Sequence, residues 1–107
     1  MPNSEETHDR VLNYERCMVS ILNRTINEKG LTHSAVAREA WPYLKSPADH
    51  WRRARNARKN EAPRKMPLRD LVAMAQTLQL SFIQLCAEVE LELKKGWDYH
   101  KDDTIKN

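Results

Sequence analysis

Glycine is nearly missing from this chain, with two residues in 107, and phenylalanine occurs once. No run of alternating β-branched residues appears either, so the frequent turns and period-two strands of a β-architecture are not expected. Long apolar runs are also lacking. Nothing approaches the ~18 residues of a membrane span, and no charged-then-apolar opening reads as a signal peptide, which points to the cytoplasm. Metal-ligand spacing is wanting: His8, His33, His50 and His100 pair neither with one another nor with a cysteine, so no metal site is expected. There is no glycine-rich phosphate loop and no Gly-x-Ser-x-Gly. Glu88, Glu90 and Glu92 alternate, which spreads them around a helix instead of converging them as an acid/base pair. Neither an enzyme nor a cofactor is expected. Cys17 and Cys86 each fall on an apolar helical stripe and read as buried free thiols rather than a disulfide.

What is present is ordinary globular composition, 40% apolar and 31% charged, in a length that suits one domain. The charge is unevenly placed. Between Lys45 and Lys65 stand eight basic residues (Lys45, Arg52, Arg53, Arg55, Arg58, Lys59, Arg64, Lys65) against Asp49 and Glu61. That stretch carries +6 in a chain of net +3, so the remainder sums to −3. A single-sign cluster of this kind suits an anionic partner better than a merely solvated face does.

Helical periodicity organises the rest. Residues 1–6 read as a disordered N-terminus. A long helix is expected from Thr7 to Lys29 on the stripe Val11, Tyr14, Met18, Ile21, Leu22 and Ile26, with Gly30 as a left-handed stop. Thr32 caps a second helix, Leu31 and Val36 form a staple, and Trp41-Pro42 ends it. Ser46, Pro47 and Asp49 mark the start of a third helix over 47–59. Its Ala48, Trp51 and Ala54 face inward and its Asp49, Arg52, Arg53 and Asn56 outward, with His50 at the edge. A proline-bracketed loop leads to a fourth helix, Leu68 to Gln79, with Leu68, Leu71, Val72, Ala75 and Leu78 inward. Ser81 caps the fifth, with Phe82, Leu85, Cys86, Val89 and Leu93 on one stripe and Ile83, Ala87 and Leu91 on another side. Gly96 stops it, and 97–107 reads as a flexible tail. The expected fold is all-α, a five-helix bundle over 7–96 whose second and third helices form a helix-turn-helix.

From about Met18 to Cys86 the chain resembles a phage-repressor-type, Cro-like helix-turn-helix domain of the lambda-repressor class. The likeness rests on Gly30-Leu31-Thr32 with Val36-Ala37, on the capped third helix with Trp51 and Ala54 inward, and on the closing pair from Pro67-Leu68-Arg69-Asp70-Leu71 to Ser81-Phe82-Ile83-Gln84-Leu85. The connection from Ala37 to Ser46 is longer than usual for the family. So is the loop from Lys59 to Pro67, which lacks the common Glu-x-Gly.

The resemblance implies a bacterial or phage protein that reads double-stranded DNA with its third helix. The expected function is a sequence-specific transcriptional regulator of repressor type. Arg52, Arg53 and Asn56, with His50, are the expected base contacts, since Arg can bond guanine O6/N7 and Asn adenine N6/N7 in a bidentate way. Thr32, Lys45, Arg55, Arg58, Lys59, Arg64 and Lys65 are the expected phosphate contacts. A twofold homodimer closed by the last helix is expected as well. Two rivals remain: a protein-interaction module, such as an antitoxin or adaptor, and RNA binding through the same basic surface.

Overall fold

The structure, a computed structural model, describes residues 4–56 and 63–99, with side chains from Arg10 onward. Among these residues there are five helices and no strand: α1 (Ser4–Glu28), α2 (His33–Ala40), α3 (Pro47–Arg55), α4 (Leu68–Thr77) and α5 (Phe82–Lys94). The expected all-α five-helix bundle is the observed one.

The centre of the bundle is α1. Every residue from Arg16 to Asn23 is buried, so the middle of this helix is enclosed on all sides and not on one face only. Its Cys17, Leu22 and Ile26 meet a core that includes Trp51 and Ala54 from α3, Met74 and Ala75 from α4, and Leu85 and Val89 from α5. Full burial of a large aliphatic side chain is worth roughly 1.5–3 kcal/mol, so these positions fix how the helices sit. Trp41, just past α2, is also fully buried, although its place before Pro42 marks it only as a helix stop.

Three helices end in the same way. After α1, Gly30 (φ 69°) donates to Asn27 O at 3.1 Å and Leu31 donates to Ile26 O at 3.1 Å. After α5, Gly96 (φ 95°) bonds Leu93 O and Trp97 bonds Glu92 O, at 3.1 and 3.0 Å. After α4 the left-handed residue is Gln79 (φ 58°), with Gln79 N bonded to Gln76 O and Leu80 N to Ala75 O. Each pair of bonds satisfies carbonyls that a helix end leaves open. The two glycines are where the chain needs them; Gln79 tolerates the same backbone at a steric cost.

At the helix starts, Thr32 Oγ1 accepts from Ala35 N and Ser81 Oγ from Gln84 N, both at 3.4 Å. Ser46 makes no such bond. Its ψ is 69°, against 139° and 128° at Thr32 and Ser81, which turns the hydroxyl away from the first-turn amides. Pro47 does occupy the first helical position, as expected.

Several boundaries differ from those expected. Helix α1 begins at Ser4, three residues before the expected start at Thr7. Helix α3 ends at Arg55, and residues 57–62 of the expected third helix and loop lie outside the described residues. Leu68 is 64% exposed, because it opens α4 at the rim of a cleft instead of under a neighbouring helix. The expected flexible tail is tied at its start. Asn13 Nδ2 donates to Trp97 O at 3.1 Å, and Tyr99 N donates to Asn13 Oδ1 at 2.8 Å. Residues 100–107 are not among those described. Cys17, buried, and Cys86, half-buried, are not joined in a disulfide.

Candidate nucleic-acid interface

The basic helix α3 is held from beneath by an indole. Trp51, fully buried, donates its Nε1–H to His33 Nδ1 at 3.0 Å, while His33 Nε2 stands 2.8 Å from Asn27 Oδ1. An indole N–H can only donate, so His33 Nδ1 is an acceptor and its proton sits on Nε2, bonded to Asn27. This imidazole is neutral. Burial lowers its pKa from the ordinary value, and the nearby Arg55 charge lowers it further. Through that one ring the end of α1, the start of α2 and the underside of α3 are fastened together.

His50 is fixed by the same logic. Its Nδ1 lies 3.0 Å from Arg64 Nη1 and its Nε2 3.0 Å from Asp70 Oδ2, with the Trp41 ring edge-on at 4.7 Å. A guanidinium only donates, so Nδ1 accepts and Nε2–H donates to the buried Asp70. The result is a directed chain from Arg64 through His50 to Asp70, joining α3, the far end of the loop and α4.

The opposite side of α3 is ionic. Asp49 Oδ1 accepts from Arg52 Nη2 at 2.6 Å and from Arg52 Nε at 3.2 Å, and Asp49 Oδ2 stands 2.9 Å from Arg53 Nε. All three side chains are about 40% exposed. Pairs this exposed contribute about 0–1 kcal/mol, so they orient the arginines more than they hold the fold. Both guanidinia keep further donors on their terminal amino groups.

The sequence-predicted residues therefore divide. Arg52 and Arg53 lie on the outer face of α3. Asn56 is half-buried just past it, its N–H bonded to Arg52 O at 2.8 Å. His50 is turned inward, with both ring nitrogens facing partners. Arg55 lies with its guanidinium carbon 5.4 Å from the centre of the Trp51 ring. Burial, then the Arg52 charge, pulls its pKa down, and it remains cationic as guanidinia do. Thr32 and Lys45 are exposed on the connections flanking α2, and Arg64 and Lys65 are exposed where the loop returns. Arg58 and Lys59 lie outside the described residues.

Three contributors escaped the sequence reading: Trp41, Asp70 and Arg16. Arg16, on α1, is fully buried and bonds Ala54 O, Arg64 O at 3.2 Å and Glu15 Oε1 at 2.8 Å. Its signal was a charged residue inside the most apolar arc of a long helix, next to Cys17, Met18 and Val19.

Among the described residues no group of three or more His, Cys, Asp or Glu is placed to hold a metal ion. No helix among them is long and apolar enough to cross a membrane. Comparison with protein-family models, with curated proteins and with solved structures finds no significant match to this chain.

Proposed function

We propose that this chain binds double-stranded DNA as a sequence-specific transcriptional regulator of repressor type, with α3 as the helix that enters the major groove. The observation that carries the reading is the two-sidedness of α3. Trp51 and Ala54 are fully buried, while Arg52 and Arg53 stand outward, held in place by Asp49. The Thr32-capped start of α2 lies exposed, where backbone amides suit a phosphate. Arg52, Arg53 and Asn56 are the proposed base contacts. His50 leaves that set, because Asp70 and Arg64 occupy its two nitrogens. Thr32, Lys45, Arg55, Arg64 and Lys65 are the proposed phosphate contacts, with Arg58 and Lys59 included on sequence alone.

The reading includes a twofold homodimer. Ile83 is 82% exposed and Val11 and Leu68 each 64%. Val11 and Leu68 border a cleft of about 560 Å³ between α1, α4 and α5 that Tyr14, Met18 and Phe82 help to line. Pairing two copies doubles the number of base pairs read, which a single helix-turn-helix needs for useful affinity. The same cleft is the feature that favours the rival protein-interaction reading.

Selection of bound duplexes from a random DNA pool tests the proposal. An enriched motif is expected, and Arg53→Ala or Asn56→Ala should lose about 1–3 kcal/mol on it while relaxing sequence choice. The log–log salt slope should be roughly −4 to −5 per protomer, for on the order of four to six neutralised phosphates. A flat salt dependence with no enriched motif points to the protein-interaction reading instead. A solution mass at micromolar concentration of 12.6 kDa, that of one chain, removes the dimer.

A further inference from the structure

We propose that Arg16 is a positioning residue for nucleic-acid binding: from inside the bundle it fastens the carbonyl end of α3 to the returning end of the basic loop and so sets Arg64 and Lys65 beside the reading helix. The proposal rests on the DNA reading above.

The geometry starts from an unsolved helix end. The last four carbonyls of any α-helix lack intrahelical donors. Helices α1, α4 and α5 answer this with a left-handed residue, whereas Asn56, directly after α3, is extended (φ −125°, ψ 122°). Arg16 supplies the donor instead. Its Nη1 bonds Ala54 O, and its Nη2 bonds Arg64 O at 3.2 Å and Glu15 Oε1 at 2.8 Å. A planar guanidinium can reach acceptors on separate stretches of chain at once, which the compact ammonium of lysine does less well.

The return of the loop is fastened four times over. Besides the bond from Arg16, Arg64 N donates to Arg53 O at 3.1 Å. The Arg64 side chain donates to His50 Nδ1 at 3.0 Å, and Met66 N donates to Glu15 Oε2 at 3.5 Å. Both main-chain polar groups of Arg64 and its side chain are thus engaged, and Arg53 on the reading helix is bonded directly to it. Cations held in register before the partner arrives avoid ordering cost on association. Burying a guanidinium completely beside one partly exposed carboxylate is expensive, and an apolar side chain of similar length would fill the space at less cost. Packing alone therefore does not explain an arginine here, whereas closing the loop against α3 does.

The test uses the whole chain with Arg16→Met and Arg16→Lys. Hydrogen exchange reads the clamp without any DNA. In Arg16→Met the amides of Arg64 and Met66 should exchange faster while those of α1, α4 and α5 keep their protection. Binding to a random-sequence duplex should fall roughly five- to thirty-fold near physiological salt. The salt slope should shrink in magnitude by about 0.9 for each phosphate that is no longer neutralised, with roughly one or two phosphates affected. Arg16→Lys should recover only part of this. Lys65→Ala, which weakens the wild type, should add little in the Arg16→Met background, because that cation is already out of position. Should Arg16→Met fail to fold, Glu15→Ala, at a partly exposed position, should release the Met66 amide and give a smaller loss of the same kind. Unchanged exchange at Arg64, or fully additive losses with Lys65→Ala, overturns the positioning role. If the wild type binds no duplex, the DNA reading fails and the positioning role with it, while the exchange arm still reports whether Arg16 closes the loop.

Discussion

The two halves of this bundle are held together by different means. Around α2 and α3, Trp51 is locked by a directed bond to His33, and Trp41 packs edge-on against a His50 that bonds Asp70. Where α1 meets α4 and α5, the buried core contacts are mainly aliphatic, among Leu22, Met74, Leu85 and Val89, with the part-exposed Arg24–Glu92 pair at the rim. Directed bonds fix orientation as well as distance, whereas aliphatic packing fixes volume and tolerates swaps that conserve it. The half that presents the arginines is thus the half whose orientation is most tightly specified.

The largest expected effect removes the centre of the directed half. Trp51→Ala should cost about 3–5 kcal/mol in a denaturant titration, since it empties a fully buried site beneath α3. Trp51→Phe separates shape from bonding: it keeps most of the ring but leaves His33 Nδ1 without its donor, for about 1–3 kcal/mol. In the aliphatic half the matched exchange Leu85→Met should cost less than about 1.5 kcal/mol. A Leu85→Met cost equal to that of Trp51→Phe would erase the distinction between the halves.

A pH titration sharpens it further. His33 is neutral when folded, with its pKa held below the ordinary 6.5 by burial and then by Arg55. Its contribution is complete above about pH 6.5 and is lost as pH falls below that value toward the folded pKa, because the unfolded chain then binds more protons. The melting temperature should therefore drop between about pH 7 and pH 5.5, and His33→Gln should flatten that drop. Smallest in stability is Asp49→Ala, about 1 kcal/mol or less for an exposed ion pair at the start of a helix. Its effect belongs to binding: with Arg52 and Arg53 released and one negative charge gone, affinity for arbitrary duplexes should rise and the preference for the selected motif should fall. Parallel titrations on selected and random duplexes measure both.

Much of the frame was legible because it depends on local chemistry. Gly30 and Gly96 take the left-handed conformations their positions require, and Thr32 and Ser81 cap from one turn away. Five helices and the inward side of α3 follow from spacing alone. What escaped depends on partners distant in sequence. Ser46 and Ser81 both read as helix caps, yet the backbone angle at Ser46 denies it the bond. Periodicity placed Arg16 on α1 but could not show that carbonyls 38 and 48 residues away would make its burial possible. His50 looked like an outward edge residue because Asp70 and Arg64, which enclose it, arrive from α4 and the loop.

The enclosure of α1 also bears on the order in which the chain assembles. Helix α2 touches both α3 and α4 over shorter sequence separations, while α1 is fully shut in only when Leu85 and Val89 close over it. Closing so long a loop is entropically slow relative to forming the central contacts. During synthesis α1 must therefore wait, part of its apolar surface uncovered, until α5 has emerged. A fragment that stops short of α5 should collect as a collapsed, aggregation-prone species, and completion of the last helix should mark the rate-determining event in refolding.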